Sequence, residues 1–168
     1  MADVVLVGLP GSGKTTTGRE LARRLGRDFV DTDDTFFELE RVTVQDYLRV
    51  HEEPAFRERE LRALRHALKS PGVVATGGGT VTTPAARHLL ERELTVWLDC
   101  PDDVLEARVA GGDRPMLGDD PRTRLAELRA QRDAHYAQVS RCRVDASQQL
   151  DDLVSQLANI VETSQASS

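Results

Sequence analysis

Lysine is nearly absent from this chain, confined to Lys14 and Lys69; every other fixed side-chain cation is an arginine. That bias makes Lys14 informative, because it stands inside the strongest motif of the sequence. Cysteine is also scarce: Cys100 and Cys142 have neither metal-ligand spacing nor CxxC pairing, so they read as two small buried hydrophobes in a reducing cytoplasm, with a disulfide between them as the alternative. No apolar run approaches the roughly 20 residues that cross a bilayer. Met1 to Val7 passes straight into an apolar strand pattern without a basic leader or small-residue cleavage site, so no signal peptide is expected and the expected location is cytoplasmic. Positive charge is not in excess; a net charge of −6 argues against a general nucleic-acid binder. There is no internal repeat and no linker long enough to divide the chain. One domain is expected over residues 1–162, acting as a monomer away from membranes, with 163–168 as a disordered tail.

What remains is an ordinary globular composition, 39% hydrophobic and 30% charged over 168 residues, enough to bury a core without disulfides or metals. Short apolar runs alternate with helical stretches. Strands are expected at Val4–Val7, Asp28–Asp31, Val73–Thr76, Thr95–Asp99 and Arg143–Asp145. Helices are expected at Lys14–Leu25, stopped by Gly26, and at Thr35–Arg41. A Thr43-x-x-Asp46 capping pattern comes next, then a longer helix with Pro54 in its first turn. Further helices are expected at Pro84–Glu91, Pro101–Ala110, Arg122–Val139 and Leu150–Val161. Residues 112–121 carry glycine, proline and charge without periodicity and read as a loop. Alternation of this kind implies a parallel sheet covered on both faces, with ligands beyond the carboxyl ends of its strands. Gly8 to Gly13, Asp31 to Asp34 and Gly77 to Gly79 all follow strands and so fall on that one edge.

Gly8-Leu9-Pro10-Gly11-Ser12-Gly13-Lys14-Thr15 satisfies G-x-x-x-x-G-K-[ST] at every fixed position. Glycines let backbone N–H groups turn inward around a phosphate chain, and the following helix adds its positive end. Gly11, Ser12, Gly13, Lys14, Thr15 and Thr16 are therefore the expected nucleotide contacts, with Lys14 reaching the β- and γ-phosphates and the Thr15 hydroxyl on Mg²⁺. The motif alone specifies nucleotide binding and no reaction. A guanine-reading Asn-Lys-x-Asp is missing, since Lys69 stands in Leu68-Lys69-Ser70. Val96-Trp97-Leu98-Asp99 approaches the acidic strand end of motor ATPases and keeps that alternative open.

Asp31-Thr32-Asp33-Asp34 places carboxylates at the same edge. In an extended segment Asp31 and Asp33 share a face. Asp31 is then expected on the metal side, through its water shell, and Asp33 on the acceptor side, taking or orienting a hydroxyl proton; a solvated turn with Asp34 or Thr35 as helix cap is the alternative. Two arginines interrupt apolar helix stripes: Arg57 with Leu61, Leu64 and Leu68, and Arg132 with Leu125, Leu128 and Val139. Arg62 and Arg129 lie off those stripes. An inward guanidinium requires an anion, which points to a substrate carboxylate gripped by bidentate forks; snorkelling at the core rim is the competing reading. Gly77-Gly78-Gly79 permits a close backbone approach or is a plain turn. Arg114-Pro115 lies in the expected lid, about residues 111–121, where an arginine closing over the phosphates neutralises charge in transfer.

Taken together these motifs resemble the shikimate kinase family. The match extends from Val4 to Asp145 through Gly8–Thr15, Asp31-Thr32-Asp33, Phe56-Arg57 with Glu60, Gly77-Gly78-Gly79, Arg114-Pro115, Arg132 ahead of Tyr136, and Arg143-Val144-Asp145. The resemblance implies a three-layer α/β/α P-loop fold of the nucleoside monophosphate kinase type, with a five-stranded parallel sheet. It implies ATP and Mg²⁺ as cofactors and phosphorylation of the shikimate 3-hydroxyl, on the route to chorismate and aromatic amino acids. By position it makes Lys14, Asp33 and Arg114 catalytic, with Asp33 holding shikimate hydroxyls and serving as base. Arg57 and Arg132 clamp the carboxylate, Gly78 and Gly79 contact the acid from the backbone, Glu60 orients Arg57, and Arg108 lies beside the adenine. The chain departs from the family pattern in three places: a spacing from Arg108 to Arg114 one residue shorter, Met116-Leu117 in place of Leu-Leu, and Ala146-Ser147-Gln148-Gln149 without an arginine and proline against the adenine. Two alternatives remain at this point, a kinase for another polyol acid such as gluconate or a shikimate-like cyclitol, and a nucleotide-binding regulatory ATPase.

Overall fold

Val4, Val5, Leu6 and Val7 have no solvent exposure at all, as an uninterrupted apolar strand requires when both faces of its sheet are covered. They form β1 (Val4–Val7) in a computed structural model that describes residues 1–110 and 120–167. The glycine loop leads into α1 (Lys14–Leu25), which ends on Gly26 in the left-handed conformation. Then come β2 (Phe29–Asp31), α2 (Thr32–Glu40), α3 (Val44–Val50), α4 (Glu53–Ala67) and β3 (Val73–Ala75). A 3₁₀ turn at Thr80–Thr82 precedes α5 (Pro84–Leu90), followed by β4 (Thr95–Asp99), α6 (Asp102–Ala110), α7 (Pro121–Val139), β5 (Cys142–Asp145) and α8 (Leu150–Ala166).

The five strands are ordered β2-β3-β1-β4-β5 and every pair is parallel, with Leu6 opposite Ala75 on one side and Val96 on the other. Right-handed crossovers then place α1 and α8 over one face and α4, α5 and α7 over the other; accordingly α1 packs on α8, and α5 on α7. The chain leaves β1 toward β2 and later crosses from β3 to β4 on β1's other side. The carboxyl ends of β1, β2 and β3 therefore share one crevice at the switch in strand order. A second, smaller core of Phe36, Val44, Tyr47, Phe56 and Ala63 sits under α2, α3 and α4. There the Phe36 ring lies 5.4 Å from Tyr47 and 5.6 Å from Phe56.

Several elements differ from expectation. α2 begins at Thr32, three residues before the expected Thr35, because the Asp31 carboxylate accepts from the Asp33 N–H at 2.9 Å and caps the helix itself. Asp31 and Asp33 are thus a cap and a first-turn residue, not neighbours on an extended face, and neither Asp34 nor Thr35 is the cap. α8 continues to Ala166, so residues 163–166, expected in a disordered tail, are helical, and Gln165 Nε2 donates to Asp3 Oδ1 at 3.2 Å. α7 starts at Pro121 behind an Asp120 cap. The remainder of the expected lid, with Arg114 and Met116-Leu117, lies outside the described residues. Cys100 and Cys142 are both free thiols. Among the described residues no helix is long and apolar enough to cross a membrane.

Candidate active site

α1 opens without a side-chain cap or an acidic residue in its first turn, which leaves its N-terminal N–H groups and dipole to serve an anion. Gly11 and Gly13 have φ of 85° and 88°, a region in which side chains with a Cβ are strained. The loop closes on itself: the Ser12 N–H donates to Leu9 O at 3.2 Å. Lys14 is 8% exposed, and its Nζ donates to Gly8 O at 2.7 Å and Leu9 O at 3.0 Å, so its ammonium is held over the loop. Thr16 is exposed at the same helix end.

The Thr15 hydroxyl donates to Asp31 Oδ2 at 2.8 Å, so the two residues expected to face a metal are brought together by β1 and β2. One hydroxyl and one carboxylate are a set suited to Mg²⁺, which keeps most of its shell as water and phosphate oxygen. Asp33 follows in the first turn of α2. Solvent reaches its side chain, yet the protein crowds its carboxyl. Desolvation first, then the charges of Asp31 and Glu60, push its pKa up to about 6 against the pull of Lys14.

The triple glycine is where the remaining groups converge. A Cβ built on Gly77 would lie 3.1 Å from Glu60 Oε1, on Gly78 3.3 Å from Arg132 Nη1, and on Gly79 2.6 Å from both terminal nitrogens of Arg57. Arg57, in the first half of α4, donates to Glu60 at 2.7 Å and to Glu53 at 3.1 Å. Burial alone would weaken its proton affinity, but these carboxylates hold its pKa above the usual value. Glu60 in turn accepts from the Thr80 hydroxyl at 3.0 Å. Arg132, on α7, is only 5% exposed, and its Nε and Nη1 have no hydrogen-bond partner among the described residues. Desolvation lowers its pKa, with the nearby Arg57 charge acting in the same direction. A buried guanidinium with idle donors is costly unless an anion arrives, and the neighbouring Arg57 gives the same anion a second fork.

Arg108 bridges the phosphate loop and the segment after β5, donating to Gly11 O at 3.2 Å and Ala146 O at 3.1 Å. Asp99, the residue that kept a motor-ATPase reading open, is committed elsewhere: it pairs with Arg143 and, at 3.1 Å, with Arg129. Arg129, which lies off the apolar stripe of its helix, also bonds Asp102 and Cys100 O. It thereby fastens α7 to the end of β4. Sequence reasoning passed over Thr32, whose hydroxyl accepts from the Gly77 N–H at 3.0 Å, and Thr80. Tyr136 was noted only as following Arg132; its spacing of one helical turn was the available signal.

Beyond this geometry, residues 10–162 match the family model described as shikimate kinase. The shikimate kinase of Corynebacterium jeikeium (strain K411) is 44% identical over 138 residues, covering 81% of this chain and 75% of that protein. That of Symbiobacterium thermophilum is 41% identical over 162 residues, covering 92% and 93%. Among solved structures, the shikimate kinase from Acinetobacter baumannii in complex with shikimate superposes with a TM-score of 0.88 at 31% identity, covering 96% of this chain and 93% of that one. With the fold, the crevice and these relatives in agreement, the chain belongs to the shikimate kinase family.

Proposed function

We propose that the chain transfers the γ-phosphoryl group of ATP to the 3-hydroxyl of shikimate, giving shikimate 3-phosphate and ADP, a step toward chorismate and the aromatic amino acids. The observation that carries the acceptor assignment is Arg132: a buried cation with two idle donors, beside Arg57 and across the glycine turn from Asp33. That arrangement suits a small molecule with a carboxylate at one end and a hydroxyl at the other. Gluconate shares the carboxylate but not the ring, and a regulatory ATPase has no use for a second anion pocket.

In this reading the amides from Gly11 to Thr16 and the Lys14 ammonium bind the phosphates, and Arg108 lies beside the base. Thr15 and Asp31 would hold Mg²⁺, which supplies charge neutralisation and alignment of the β- and γ-phosphates when bound. Arg57 and Arg132 take the shikimate carboxylate, and the Gly78 and Gly79 backbone contacts the acid. Asp33 accepts the proton from the 3-hydroxyl as that oxygen bonds to the γ-phosphorus and the bond to the ADP oxygen breaks. A carboxylate titrating near 6 is ionised at neutral pH yet basic enough to take part in that transfer. All these groups come from one chain, which suits a monomer, and free thiols suit a reducing cytoplasm.

A coupled ADP-release assay with Mg-ATP and shikimate, quinate or gluconate tests the proposal. Turnover is expected with shikimate; turnover with another acceptor alone, or ATP hydrolysis indifferent to all three, would overturn it.

A further inference from the structure

Tyr136 is completely buried on α7, one turn beyond Arg132, with its ring 5.7 Å from that of Trp97 on β4. A phenylalanine would fill the same space, so packing does not account for the hydroxyl. Burying that group is costly unless it is bonded, and the partner it finds belongs to the acceptor pocket, not to the core. The hydroxyl donates to Gly78 O at 2.6 Å, and the Arg132 guanidinium lies against the same glycine, its Nη1 3.3 Å from a Cβ built on Gly78. Burial pushes the phenol far above its usual pKa even against Arg132, so it stays a neutral donor.

The bond to Gly78 O has a geometric consequence. In a planar trans peptide the C=O of one residue and the N–H of the next point in opposite directions. Holding Gly78 O toward α7 therefore aims the Gly79 N–H away from α7. We infer that Tyr136 is a positioning residue for the acceptor, yoking the clamp arginine Arg132 to the Gly78–Gly79 peptide. The carboxylate grip and the backbone contact are then held in one fixed relation. This inference rests on the proposed shikimate reaction.

Tyr136→Phe tests it, since the ring and its packing on Trp97 are kept. Both proteins are assayed with Mg-ATP against shikimate and against shikimate methyl ester, which lacks the carboxylate charge. In the variant the KM for shikimate is expected to rise about tenfold, the value of one buried acceptor left without its hydrogen bond. The KM for ATP stays unchanged, and the preference for acid over ester narrows. Trp97 emission and the thermal midpoint report whether the core has survived. An unchanged shikimate KM with a lowered midpoint would make Tyr136 an ordinary core residue, and a parallel rise in both KM values would mean general loosening; either result overturns the inference. If the unmodified protein does not use shikimate, the functional proposal fails whatever the variant does.

Discussion

Asp33 and Glu60 face each other across the α-carbon of Gly77: a Cβ built there would lie 3.4 Å from Asp33 Oδ1 and 3.1 Å from Glu60 Oε1. The proposed base is thereby set beside the carboxylate that anchors Arg57. Gly77 leaves the two acids without a side chain between them, so they feel one another's charge.

Glu60→Gln tests this coupling. Besides desolvation, the charges facing Asp33 are Asp31, Glu60 and Asp34, which raise its pKa, and Lys14, which lowers it. Removing the Glu60 charge is expected to move the Asp33 titration down from about 6, read by carbon NMR of its carboxyl in ligand-free protein. The midpoint staying in place would mean that desolvation and Asp31 account for the whole displacement.

The same displacement predicts a pH-dependent stability. The ordinary value for Asp33 is 3.8 and the folded value is about 6, so the folded protein binds the proton more tightly than the unfolded chain. The resulting stabilisation is fully present below about pH 4 and is lost as pH rises through 6. Asp33→Asn is therefore expected to raise the ligand-free melting temperature at pH 7 and to lose that advantage at pH 4. Solvent reaches Asp33, so the effect is discounted to about 1 kcal/mol, or about 2–4 °C. Equal melting curves at pH 7 would contradict it.

Gly79→Ala separates function from folding. Gly79 has φ of −91°, which alanine adopts freely, but the added methyl would sit 2.6 Å from the Arg57 terminal nitrogens. The flexible end of that side chain yields, so the melting temperature stays within a few degrees while Arg57 leaves its seat between Glu60 and the pocket. A rise of about tenfold or more in shikimate KM with unchanged ATP KM is expected. Wild-type kinetics would show that Arg57 needs no fixed position.

Arg132→Met sets stability against binding. A buried guanidinium with two unpartnered nitrogens is a cost to the empty protein, and an apolar side chain of similar length removes it. The variant is expected to melt higher by about 3 °C, near 1 kcal/mol, while losing shikimate affinity by about a hundredfold or more, with ATP binding intact. A fall in the melting temperature would show that Arg132 already has its anion within the protein.

Which of these residues could be read beforehand follows from how locally each is specified. The phosphate loop is contiguous, and its spacing alone places Lys14 and Thr15. Arg57 and Arg132 stood out because a cation on an apolar stripe violates helical patterning. The relation of Asp31 to Asp33 was not legible, since Asp31 bends the chain into a helix with its own side chain. Tyr136 was legible only as the residue one turn after Arg132, because its partner Gly78 is far away in sequence. Asp99 looked available because Arg129 and Arg143 reach it from separate elements.

Asp31 has two duties that a single substitution can part. Its Oδ1 caps α2 by accepting from Asp33 N–H, and its Oδ2 meets the Thr15 hydroxyl at 2.8 Å. Asparagine caps a helix as well as aspartate does, but brings no charge to a cation. Asp31→Asn is therefore expected to leave the melting temperature within about 2 °C. It should raise the Mg²⁺ concentration needed for half-maximal activity by about tenfold, roughly the value of one charged contact. Thr15→Val, which removes the hydroxyl and keeps the shape, is expected to raise the Mg²⁺ requirement in the same direction. An unaltered Mg²⁺ requirement in both variants would remove this pair from the metal side of the crevice and leave Asp31 as a helix cap alone.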